Sequence, residues 1–118
     1  MIKLMLLVNR KAGLTPEEFR DYYERVHAPL AAKHVPHLAR YVRNYVVDRA
    51  GGPLDCDCVT EFWFDLPGPW SEAKAAITPP HLSDMFAEDE ERFMDRASMR
   101  ILVVEEGVTP ADQLGGAS

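Results

Sequence analysis

The sequence predicts an α+β domain with four antiparallel strands, in the order β-α-β-β-α-β. Three observations carry that prediction. Apolar runs sit near the two ends, at Ile2 to Asn9 and Met99 to Val104. Two interior runs, Leu38 to Asp48 and Cys56 to Asp65, are rich in β-branched and aromatic residues. The stretches between carry helix starts and helical spacing.

A chain of 118 residues is long enough for one domain with a real core and too short for two. Residues 1–106 are read as that domain and 107–118 as a flexible tail or dimer arm. Apolar residues make up 47% and charged residues 27%, an ordinary globular balance. The net charge of −6 and the scattered Lys and Arg argue against nucleic acid and against an acidic membrane surface as partners. The apolar start is too short for a secretory signal, and no run approaches the roughly 20 residues of a membrane span. With only Cys56 and Cys58 present, a cytoplasmic protein is expected.

In the first strand both alternating sets, Ile2, Leu4, Leu6, Val8 and Met5, Leu7, are apolar, so both faces must be covered. The next stretch spells out a helix start. Thr15 is the N-cap, Pro16 takes the first helical position, Glu18 closes a capping box, and Leu14 and Phe19 form the hydrophobic staple. Phe19, Tyr22, Tyr23, Val26 and Leu30 then recur along one stripe facing a sheet. Pro36 closes this helical region. On the second strand Tyr41, Arg43, Tyr45 and Val47 share a face. Gly51-Gly52-Pro53 marks a turn. The third strand separates Cys58, Thr60, Phe62 and Phe64 from Val59, Glu61 and Trp63. After Leu66-Pro67-Gly68-Pro69 come a helix from Trp70 to Ile77, a second helical start at Thr78-Pro79-Pro80, and a short polar helix over residues 88–93.

This order is the ferredoxin-like arrangement. A single sheet with helices on one side leaves its other side in water, yet strands one, three and four are apolar on both. A second copy packing its sheet on that open side, as a homodimer with the two sheets curled into a barrel, is the simplest remedy.

The segments Met1-Ile2-Lys3-Leu4, Leu14-Thr15-Pro16-Glu17-Glu18-Phe19, Val26-His27-Ala28-Pro29-Leu30, Tyr41-Val42-Arg43-Asn44, Glu61-Phe62-Trp63-Phe64-Asp65 and Phe93-Met94-Asp95 follow one another in an order that resembles the EthD-like proteins of the dimeric α+β barrel superfamily. The resemblance spans roughly residues 1 to 106. It implies the fold and the dimer, and a range of chemistry from accessory proteins of ether degradation and polyketide cyclases to dehydratases, decarboxylases, cofactor-independent monooxygenases and haem-binding enzymes. Fold alone does not choose among these.

Among single residues His27 stands out. Tyr23 at i−4 and Glu24 at i−3 share its helix face, and Pro29 withholds the N–H that the carbonyl of Arg25 would accept. An imidazole titrating near neutrality suits proton transfer. It equally suits tying off a proline-disturbed helix. Glu61, flanked by Val59 and Trp63, needs a partner if buried: an ion pair with Arg43 or Arg100, or His27 in a pocket.

The expected enzyme is a cofactor-independent lyase, cyclase or isomerase acting on a small aromatic or polyketide-like compound, with His27, Tyr23 and Glu61 as catalytic candidates. Tyr45, Asn44, Trp63, Phe64 and His81 are the expected substrate contacts. The histidines show no metal-ligand spacing, so neither metal nor cofactor is expected. The alternatives are a non-catalytic binding or accessory protein, a haem protein with His27 or His81 as axial ligand, and a cofactor-independent monooxygenase.

Overall fold

Strand β1 (Ile2–Val8) lies inside the sheet, where a strand apolar on both sides belongs. Ile2, Leu4, Leu6 and Val8 are buried toward the helices, while Lys3, Met5 and Leu7 are half-buried on the other side. The description rests on a computed structural model covering residues 1–53, 56–77 and 80–116, without the side chains of Pro80 and His81. β2 (Leu38–Tyr45), β3 (Cys58–Phe64) and β4 (Arg100–Val104) complete a sheet of spatial order β2-β3-β1-β4, antiparallel throughout. The predicted α+β, ferredoxin-like class is the one found. The strands are shorter than the sequence suggests. β2 ends at Tyr45, after which the Val46 N–H still bonds across, to the Asp57 carbonyl at 2.9 Å.

Helix α1 (Pro16–Tyr22) begins as its sequence dictates. Thr15 caps the Glu18 N–H, Glu18 answers to the Thr15 N–H, and Pro16 sits where a missing N–H costs nothing. The disturbance expected from Pro29 takes a definite form. Residues Tyr23–His27 make a π-helical turn, closed by the Ala28 N–H on the Tyr23 carbonyl, and Pro29 falls in the first turn of α2 (Ala28–His34). A widened turn lets the helix run past the proline instead of breaking there.

After β3, α3 (Trp70–Ile77) and α4 (Pro80–Glu90) return across the same side of the sheet. The polar helix expected at 88–93 is the end of α4 and the turn that follows it. That turn delivers Phe93, fully buried, against the rings of Phe19, Tyr22, Tyr23 and His27 at centroid distances of 5.7, 5.0, 5.1 and 4.9 Å. One ring thus joins the first helical region to the last.

Truncating Phe93 to Ala should lower unfolding free energy by about 3 kcal/mol or more, since all four neighbours lose a packed face. Urea unfolding measures it. A loss below about 1 kcal/mol would mean that the rings repack without it.

Candidate functional site

The π-turn sets Tyr23 and His27 toward the sheet, both buried. His27 is 4% exposed, and its Nδ1 lies 2.8 Å from Oδ2 of Asp89, itself 3% exposed. Tyr22 donates to the other oxygen of Asp89 at 2.6 Å, and Arg92 adds a longer bond of 3.1 Å. Three donors from three places in the chain therefore meet on one carboxylate.

Burial lowers the pKa of His27 by more than the carboxylate raises it, so the ring is neutral at pH 7. Burial pushes the Asp89 carboxyl up, but the bonds from Tyr22, His27 and Arg92 outweigh it and hold it below its ordinary value. An ionised carboxylate only accepts, so the proton of the neutral ring is on Nδ1 and Nε2 is the basic nitrogen.

A second cluster sits one turn earlier on the same face. Glu24 takes a two-pronged bond from Arg43, at 2.8 and 2.9 Å, and the Tyr45 hydroxyl at 2.5 Å. The guanidinium holds the Glu24 carboxyl down to about 2, and burial and the same carboxylate push the Tyr45 phenol well up. Deeper in, the hydroxyls of Tyr23 and Thr60 are 2.7 Å apart. The Tyr41 phenol, pushed up to about 12 by burial, lies near enough to Tyr23 to be coupled to it electrostatically. It lacks the geometry of a hydrogen bond with any described residue.

The sheet divides the residues singled out from the sequence. Tyr23, His27, Tyr45 and Phe64 are on the helix side, where Tyr23 meets the rings of His27 and Tyr45 at 5.6 and 6.0 Å and Phe64 is packed into the core. Asn44, Glu61 and Trp63 are on the open side. The carboxylate at His27 is accordingly Asp89 and not Glu61. Glu61 does form an ion pair, with Lys3 at 3.0 Å rather than with Arg43, and Asn44 donates to it at 2.7 Å. The Trp63 ring lies between the Lys3 ammonium, 4.2 Å from its centroid, and the Arg40 guanidinium at 4.8 Å. The expectation for His81 falls on a side chain outside the described residues. Asp89 and Glu24 carry no expectation of their own in the sequence reading. The signal for Asp89 was its place between Phe86 at i−3 and Phe93 at i+4, which puts a carboxylate on an apolar stripe.

His27 itself is enclosed, at 4% exposure. A groove of about 630 Å³ lies between α1 and the end of β2, lined by Phe19, Arg20, Tyr45, Val46 and Arg49 among others. The Arg20 guanidinium lies over the Tyr45 ring, 4.7 Å from its centroid, and among the described residues it makes no hydrogen bond or ion pair. Among those residues, too, no group of His, Cys, Asp and Glu side chains is arranged to hold a metal ion, and no helix is long and apolar enough to cross a membrane.

Residues 11–97 match the sequence pattern of the EthD domain. The chain belongs to the EthD family. Its fold is similar to that of an EthD family protein from Bacillus halodurans, with a TM-score of 0.66 and 17% identity over 91% of this chain and 100% of that one. It is likewise similar to a protein of Arabidopsis thaliana, with a TM-score of 0.63 and 16% identity over 93% of this chain and 99% of that one. A solution structure of the Arabidopsis protein gives 0.59, again at 16%, over 92% of this chain and 90% of that one. At such identities the likeness is one of fold. Among curated proteins, none matches this EthD domain.

Two outcomes follow from the buried pair. Asp89→Ala strands the buried His27 N–H and takes the acceptor from the half-buried Tyr22 hydroxyl, and should cost about 3 kcal/mol or more of stability in urea unfolding. A loss under about 1 kcal/mol would mean that the network is not holding the fold. The pH dependence has a definite sign. Unfolded His27 titrates near about 6.5 and the folded ring lower, so stability is complete above that value and falls as acid titrates the folded ring. Tm should drop between about pH 7.5 and pH 5, and His27→Gln should flatten that part of the profile; identical slopes in the two proteins would contradict the assignment.

Proposed function

We propose that this EthD protein is a homodimer that binds a small aromatic or polyketide-like compound without a cofactor, as a carrier or accessory protein, in the groove between α1 and β2. The observation that carries the reading is the contrast between the two polar regions on the helix side. The groove beside Tyr45 and Arg20 is open and of small-molecule size, whereas His27 is sealed among Tyr23, Phe86, Phe93 and Asp89. An aromatic ring would extend the Arg20 and Tyr45 stack, and the guanidinium edge, which makes no hydrogen bond among the described residues, would take an acidic oxygen of the ligand. The dimer is supported by the apolar residues on the open side of the sheet, Met5, Leu7, Val42 and Val59, together with Leu102 on the β4 edge, which is 48% exposed. Cytoplasmic residence belongs to the same proposal, supported by a cysteine content of only two in 118 residues.

A second reading rests on one specific observation, the imidazole oriented by a buried carboxylate on a π-turn. That is the arrangement of a general base and its orienting group. On this reading the protein is a cofactor-independent lyase, cyclase, isomerase or monooxygenase, with His27 moving the proton. Haem ligation by His27 has less support, because one ring nitrogen is committed to Asp89 and the ring is enclosed.

Isothermal titration with salicylate, 1-naphthol and aryl β-ketoesters separates these readings, with product analysis of the same mixtures. The binding reading expects at least one compound to bind in the micromolar to millimolar range, and to weaken fivefold or more with Arg20→Ala. It expects no change with His27→Gln, and no product after long incubation. Turnover that falls by about 10²-fold or more in His27→Gln would replace it with the enzymatic reading.

A further inference from the structure

The chain beyond β4 leaves the fold. From Glu105 to Gly116 every described residue is exposed, including Val108 at 80% and Leu114 at 59%. It nevertheless has a shape. A 3₁₀ turn spans Ala111–Gln113, closed by Gln113 N–H on the Pro110 carbonyl at 3.0 Å and Leu114 N–H on the Ala111 carbonyl at 3.2 Å. The radius of gyration is 16.0 Å. A compact domain of this length would have roughly 13.5 Å.

The root of the arm points to one side. Glu106 bonds Lys3 at 3.3 Å, and Lys3 belongs to the open side of the sheet, so the arm departs toward the side that a second sheet would cover. β4 supplies a matching deficit. Ile101 and Val103 pair with Leu6 and Leu4 and so face the helix side, yet they are 56% and 51% exposed because the helices do not reach this edge. Sheet-on-sheet packing would cover Leu102 and leave these two bare. Ten residues separate Val104 from Leu114 and span up to roughly 33 Å when extended. A four-stranded sheet is only about 15 Å wide.

We propose that residues 107–116 of one copy form an exchanged arm that crosses to the second copy and packs Val108 and Leu114 on Ile101 and Val103 of the partner's β4. The inference rests on the homodimer proposed above and adds to it a reciprocal clasp, which closes under twofold symmetry. It also gives an occupant to an apolar strip on β4 that the sheet interface cannot reach. An arm folded back on its own β4 would cover the same residues, and the experiment separates the two.

Leu114→Cys is combined with Ile101→Cys in the full chain, leaving the buried Cys56 and Cys58 in place, and oxidised at micromolar concentration. The arm exchange predicts a band of twice the chain mass on a non-reducing gel, absent from either single variant and abolished by reductant. A disulfide within one chain, or none, overturns it. Light scattering on the chain ending at Glu106 should show dimer dissociation constants raised tenfold or more; a change under twofold likewise overturns the clasp. A full chain that is monomeric at all concentrations would remove the dimer itself, whereas a dimer without the cross-link removes only the arm.

Discussion

A carboxylate shared by three donors in the crease between the first helical region and α4 is the constraint on which the helix layer depends. Asp89 receives Tyr22 from the end of α1, His27 from the π-turn and Arg92 from the turn after α4. Each of these residues is local in sequence to a different support. The carboxylate can be buried only because those bonds replace its water, and the buried His27 N–H is satisfied only because the carboxylate is there. Phe93, placed by the same turn, fills the space beneath. Polar and apolar contacts therefore enforce the same docking of helix on helix.

That knot changes what His27 means. A titratable imidazole beside a helix irregularity invites a catalytic role, and its orientation by a carboxylate strengthens the invitation. Its enclosure and its lowered pKa describe something else: a neutral donor whose proton goes to Asp89 and whose ring packs against Tyr23, Phe86 and Phe93. Open space with aromatic and cationic walls lies one helical turn and one strand away, beside Tyr45 and Arg20. Glu24, Arg43 and Tyr45 form the polar wall between the two. This division of labour separates the residue that holds the helix from the residues that face solvent.

The local parts of this structure were legible in the sequence. The capping box at Thr15 and Glu18 and the alternation that separates Trp63 from Phe64 depend only on near neighbours and are found as read, whereas the stripe from Phe19 to Leu30 shifts at the π-turn, which buries Tyr23 and His27 and leaves Val26 exposed. The disturbance at Pro29 was legible, but its form was not, because a π-turn and a break differ only in how the next turn packs. Partners distant in sequence were illegible. Glu61 needed a cation, and that cation is Lys3 across a strand pair rather than Arg43, which points to the other side of the sheet. Asp89 was concealed in an acidic run, Glu88-Asp89-Glu90-Glu91, whose other members gave no reason to single it out.

The central claim is that His27 is an enclosed, neutral structural donor and that ligands bind elsewhere. Nitrogen-15 NMR of the histidine rings tests it most directly. The account predicts a His27 ring protonated on Nδ1 alone at pH 7, titrating below the ordinary histidine range, with shifts that do not move when a compound occupies the groove. A His27 ring that titrates near about 6.5, or whose Nε2 shift follows added aromatic compound, would contradict it and return the imidazole to the centre of the chemistry.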